Sequence, residues 1–241
     1  MFKMASLLSK MRFRRVLLVF CIAAFSLFLI PGCGQDMKND SYVNNGETNG
    51  QEQTPVEDIP EQERTEAEWL VYGARQEVER GVEYDMSYYK IEYPGGDPPE
   101  DRGACTDVVV RALRYAGIDL QERLHEDMSE KFDLYPDNWG LAEPDPNIDH
   151  RRAPNQMVYF ERHAKVISPG DAEGQEAYRP GDIIAWDLPA GGKHVGIVSD
   201  RTSEDRTPLI IHNISGAAEE NVLKRWEIIG HYRYPDVVCF P

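Results

Sequence analysis

Cys-Thr-Asp-Val-Val-Val-Arg-Ala-Leu-Arg-Tyr-Ala-Gly (105–117) is the stretch on which the reading of this chain turns. Cys105, Val108, Val109, Ala112, Leu113 and Ala116 recur at i, i+3, i+4, i+7, i+8 and i+11, the spacing of one helical face, and Gly117 follows as a C-cap. The pattern predicts a helix that starts at Cys105 and turns that residue inward. Unpaired amides at a helix start favour negative charge, so a cysteine there is drawn toward thiolate, its nucleophilic form. The same position also suits a small buried hydrophobe.

Nearer the N-terminus, Thr65-Glu66-Ala67-Glu68 has the form of a capping box ahead of Leu70, Val71, Ala74 and Val78, with Gly81 as the stop. Asp119-Leu120-Gln121-Glu122 precedes Leu124, Met128 and Phe132 at helical spacing, and Pro154 reads as the first residue of a short helix carrying Met157, Phe160 and Ala164. Beyond residue 180 the period changes. Residues 182–188, 194–199, 208–214 and a stretch from His231 to Val238 read as strands separated by Gly- and Pro-containing turns. Helices first and an antiparallel sheet later is the order of an α+β fold. His194 opens one strand and His212 lies near the end of the next, so antiparallel pairing brings both to one end of the sheet. A thiolate nucleophile needs a base, and the base needs a third group to hold its tautomer. Cys105, His194 and His212 supply the three residue types.

Arg-Pro-Gly-Asp-Ile-Ile-Ala-Trp (179–186), Lys-His-Val-Gly-Ile-Val (193–198) and Leu-Ile-Ile-His (209–212), after a helix that opens with cysteine, resemble the NlpC-type cell-wall cysteine peptidases. That resemblance implies a papain-like fold in which the nucleophile at a helix start packs on an antiparallel sheet. It implies Cys105 as nucleophile, His194 as general base and acid, and His212 as the orienting residue. It also implies that Tyr93, ahead of Gly95-Gly96, contributes near the oxyanion. The superfamily's Asp-Cys-Ser-Gly is here Ala104-Cys105-Thr106-Asp107. Asp145 to Met157, together with Gly103 to Asp107, is closer still to the bacterial domain-of-unknown-function family twelve-eighty-seven, over about residues 66 to 241. Within it, Asp107, Asp149, His150, Arg151 and Arg152 are candidate substrate-side residues. Two adjacent arginines can grip the carboxylates of peptidoglycan stem peptides, or can form salt bridges within an acid-rich chain.

The 241 residues carry 26 Lys+Arg against 42 Asp+Glu, a formal charge of −16. That excess excludes a surface built to wrap phosphate backbones, so no nucleic-acid partner is expected. Lys3, Lys10, Arg12, Arg14 and Arg15 all fall in residues 1–32 with no acid, so losing that segment takes the charge from −16 to −21. The basic stretch, the apolar run Val16 to Ile30 and Pro31-Gly32-Cys33 have the layout of an export signal. Leu-Ile-Pro-Gly-Cys (29–33) resembles the lipobox of bacterial lipoproteins, which implies lipidation of Cys33, a membrane anchor and a location in the cell envelope outside the cytoplasm. Residues 33–64 have the composition of a disordered acidic tether, which leaves 65–241 as the hydrolase domain. No cofactor is expected. The competing readings are a zinc site built from His150, His163, His194 and His212, a Cys105–Cys239 disulfide, a non-catalytic cell-wall binding module, and an acyltransferase using the same triad.

Overall fold

A computed structural model describes residues 54–168 and 177–235. Helix α1 (Glu66–Glu79) begins as its capping box requires: the Glu68 N–H donates to the Thr65 hydroxyl at 3.3 Å, and the Thr65 N–H donates to the Glu68 carboxylate at 2.7 Å. Helix α2 (Cys105–Tyr115) starts at the cysteine, and Gly117, at φ 75°, follows its C-terminus in the left-handed conformation that glycine tolerates. Asp119 caps α3 (Leu120–Glu130) through the Gln121 N–H. Helix α4 (Ala153–His163) is 11 residues long, as long as α2, and Pro154 takes its second position rather than its first.

Strands β1 (Glu83–Tyr84) and β2 (Arg102–Gly103) form a small parallel pair just ahead of α2. The main sheet has six strands: β3 (Lys165–Val166), β4 (Ile183–Asp187), β5 (Lys193–Thr202), β6 (Pro208–Asn213), β7 (Ala217–Glu220) and β8 (Glu227–Arg233). Their order is β3-β8-β4-β5-β6-β7, and every neighbouring pair is antiparallel. The expected mixed fold with helices before an antiparallel sheet is the one observed.

Alternation along the strands divides the core. Ile183, Ala185, Val195, Ile197 and Ile211 face the helices, beside Leu70, Val109, Leu113 and Cys105. Ile184, Trp186, Val198 and Ile210 face the other way, under Val222 and Leu223, so the sheet is covered on both sides. Strand β7 was not legible in the sequence: Ala217-Ala218-Glu219-Glu220 has no β-branched residue, and pairing with β6 makes it a strand. The last strand begins earlier than expected, at Glu227, and residues 236–241 lie outside the described part.

The ordered domain also begins earlier than Thr65. Val56 is 1% exposed and its N–H donates to Asp200 at 2.9 Å. Arg75, itself buried, binds Glu57, Asp200 and Glu219. Residues 54–64 are thus packed on the domain, because a single apolar side chain and one carboxylate find partners on α1 and β5 that composition alone does not reveal. Cys21, Cys33, the leader and most of the tether lie outside the described residues. No helix among the described residues is long and apolar enough to cross a membrane.

Candidate active site

Cys105 reaches the sheet at the end of β5. Its thiol receives a hydrogen bond from the backbone of Val195, the residue after His194, and others from the start of its own helix. Burial nevertheless dominates, with the Asp107 charge adding to it, and the thiol is pushed up to about 11. The sequence expectation of a helix-start thiolate is therefore corrected: the dipole is outweighed because the sulfur is sealed from water. Cys105 is the single cysteine among the described residues and is free. Cys239, its candidate disulfide partner, lies outside them.

His194 and His212 do meet: His194 Nε2 and His212 Nδ1 are 2.8 Å apart, with the rings at 83°. His212 Nε2 lies 3.1 Å from Glu220 Oε1 on β7. Burial holds both imidazoles toward the neutral form, His194 at about 3 with the charge of His212 adding to the effect, while Glu220 opposes burial at His212. These contacts order the tautomers. An ionised carboxylate only accepts, so His212 Nε2 carries the proton and its Nδ1 is a lone pair. His194 Nε2–H then donates to it, which leaves His194 Nδ1 as a free lone pair, the form a general base requires. Trp186 and Trp226 flank this pair, with ring centroids 5.8 and 5.5 Å from His194.

Among the described residues no hydrogen bond joins the Cys105 thiol to His194. His194 is the register partner of Trp186 and packs on the sheet face away from α2. The link between them is Val195, the residue after His194, whose backbone meets the thiol, and the paired register of β5 and β6 runs no further toward His194 than Ile197↔Ile211. Into that open end comes the segment before α2. Asn213 Nδ2 donates to the carbonyls of Gly103 at 3.0 Å and Val82 at 3.3 Å, tying the end of β6 to the residues that aim Cys105.

The tyrosine that senses Cys105 is Tyr84, not Tyr93. Tyr84 pairs in register with Gly103, and its phenol is raised by burial and then by the charges of Cys105 and Asp107. Tyr93 stacks edge-on against His125, and after burial the charges it senses are Glu126, Glu122 and Asp119, around α3. The family resemblance implied Tyr93; the β1–β2 pairing is what brings Tyr84 beside Gly103 at the start of α2.

The five substrate-side candidates separate. Asp107 and Arg151 are buried and form a two-pronged ion pair, Nε to Oδ1 at 2.8 Å and Nη2 to Oδ2 at 3.0 Å. Asp107 Oδ2 also accepts the Ala104 N–H at 2.6 Å. Arg151 is thus held inside the protein, where it shapes the turn into Cys105 instead of meeting ligand. Thr106 Oγ1 donates to the Arg151 carbonyl at 2.8 Å, reinforcing that turn. Asp149 is buried, accepting from the Asp145 N–H and from Arg152. His150 is also buried, its Nδ1 without a hydrogen-bond partner among the described residues, and burial and then the charges of Arg114 and Arg151 hold it at about 3. Arg152 borders a pocket. The four histidines of the zinc alternative do not converge, since His163 lies against Asp127 at 2.9 Å, and among the described residues no group of three or more His, Cys, Asp or Glu is placed to hold a metal.

The family model described as "Domain of unknown function (DUF1287)" matches residues 71–234. The uncharacterized protein YijF of Escherichia coli (strain K12) is 50% identical over 163 residues, covering 67% of this chain and 78% of that protein.

Proposed function

The chain belongs to the DUF1287 family, and from that premise we propose that it is a lipid-anchored cysteine hydrolase of the cell envelope, with an NlpC-type papain-like fold, that cleaves an amide bond of peptidoglycan. The observation that carries the reading is the relay Glu220–His212–His194, which leaves His194 Nδ1 unprotonated one residue from the amide that holds the Cys105 thiol. Cys33 would carry the lipid. The domain's export would follow from the basic and apolar leader.

The proposed course starts from a neutral thiol and a neutral imidazole. The thiol proton passes to His194 Nδ1 as Sγ bonds to the substrate carbonyl carbon, and the oxyanion is held by the amides at the start of α2, with Tyr84 beside them. The carbon–nitrogen bond then breaks while His194 returns the proton to the leaving amine. Water, deprotonated by the same imidazole, then attacks the thioester carbonyl, the carbon–sulfur bond breaks to release the carboxyl product, and the leaving sulfur takes the proton back from His194. Thiol and imidazole share no hydrogen bond without substrate, and catalytic contacts of this kind often tighten only in the substrate complex.

That missing contact and the high thiol pKa favour one other reading, a binding module that retains the fold. Purified cell wall incubated with wild type and with Cys105→Ala separates the two. Mass spectrometry should find new amine and carboxyl termini with wild type alone. If no Cys105-dependent fragment forms while both proteins sediment equally with the wall, the hydrolase reading gives way to the binder.

A further inference from the structure

We propose that the pocket beside Arg152 and Trp139 binds an apolar residue bearing both a free ammonium and a free carboxylate. The pocket has a volume of about 250 Å³. That is below the range of about 300–1,000 Å³ typical of drug-sized ligands, and it suits one group of amino-acid size. Its floor is apolar: Met128 is buried and Phe132 packs against the core. Its rim carries exposed Trp139 with Arg152, Asp133 and Asp137.

Arg152 is set in place before any ligand arrives. Its Nη1 donates to Asp149 Oδ1 at 2.7 Å, and its guanidinium lies 3.9 Å from the centre of the Trp139 ring. Asp149 is already committed, its other oxygen accepting the Asp145 N–H at 2.5 Å. Nε and Nη2 of Arg152 make no hydrogen bond among the described residues, so two donors in a fixed plane remain for an incoming carboxylate. A ligand that is only anionic would meet Asp133 and Asp137, which form no ion pair among the described residues, across the same small opening. A ligand that is only cationic would meet Arg152. A group with both charges satisfies both sides of the rim while its apolar body fills the floor.

One peptide bond and one hydrogen bond also link the pocket to the candidate active site. Arg152 follows Arg151, whose carbonyl accepts from Thr106, the residue after Cys105. As a subsite for a substrate residue, the pocket rests on the hydrolase reading; as a binding site it can be tested without turnover.

The full chain carrying Cys105→Ala, purified in detergent, is titrated with norleucine, hexanoate and hexylamine while tryptophan fluorescence is followed, with Trp139→Phe as the control for the signal. Norleucine should give a saturable change that is lost with Trp139→Phe, and should bind about tenfold or more tighter than either singly charged probe, as expected for one lost charge-assisted contact. Arg152→Gln should weaken norleucine to a similar extent. Because Arg152 also holds Asp149, the paired change Asp133→Asn and Asp137→Asn, at two exposed residues, provides a second reading in a protein that should fold normally. Hexanoate binding as tightly as norleucine, no effect of the aspartate changes, or no saturable signal overturns the proposal. A protein that binds norleucine but cuts no cell wall keeps the pocket and loses the hydrolase; one that cuts but ignores norleucine does the reverse.

Discussion

Among single residues, the candidate site is governed by side chains beyond the Cys105 thiol and the His194 ring. Glu220 is half exposed, yet through His212 it determines which nitrogen of His194 carries the proton. Replacing it with leucine removes the acceptor and lets both imidazoles exchange tautomers. Nitrogen chemical shifts of the two rings should show His194 with its proton predominantly on Nε2 in the wild type and distributed over both nitrogens in Glu220→Leu. Glu220→Asp should restore part of the preference, and an unchanged His194 tautomer in Glu220→Leu would show that the relay does not operate. Asp107 and Arg151 act in a similarly indirect way. As a buried pair they define the entry to α2, and removing one partner of such a pair strands a charge in the interior at a cost of about 3–5 kcal/mol.

At the scale of elements, the N-terminal segment is the least expected part of the domain. Residues 54–64 include two 3₁₀ turns, Val56–Asp58 and Glu61–Glu63, on opposite sides of Ile59-Pro60. They are held by Val56 in the core, by Glu57 and Asp200 around Arg75, and by the Arg64 Nε–H on the Val56 carbonyl at 3.1 Å. Val56→Ala should therefore lower the unfolding free energy by about 2 kcal/mol, the scale of burying a valine side chain. Exposed Glu61→Ala should change it by less than about 0.5 kcal/mol in the same urea titrations. Equal effects would mean that the segment is not packed in solution. α2, by contrast, was readable from its first residue to its glycine stop, because helical periodicity and capping are local. β7 was not, because its strand conformation depends on β6.

At the scale of the whole molecule, the buried histidines make stability depend on pH. His150 and His194 are pushed down to about 3, in both cases chiefly by burial. An unfolded histidine titrates near 6.5, so between about pH 6.5 and 3 the unfolded chain takes up protons that the folded chain refuses. The stabilisation is complete above that window and is lost as pH falls through it. Carboxylates such as Asp182, held low despite burial by hydrogen bonds from His231 and Arg233, act in the same direction but only below about pH 4. Unfolding free energies measured from pH 7 to pH 4 should fall, and His150→Leu should flatten the slope by about one proton, or about 1.4 kcal/mol per pH unit. A slope that His150→Leu leaves unchanged would place the acid sensitivity elsewhere.

The helices, three of the main strands, the mixed architecture and the type of side chain at Cys105 and the two histidines were legible in the chain before folding. Each of these is written in local periodicity, capping or short motifs. The tertiary structure decided what depends on the surroundings. It put Tyr84 rather than Tyr93 beside the start of α2, drew Arg151 inward onto Asp107, brought Glu220 to His212 and Asn213 to Gly103, and raised the Cys105 thiol instead of lowering it. These outcomes are set by strand register and by exclusion of water, and both arise between residues far apart in the chain, where no local pattern records them.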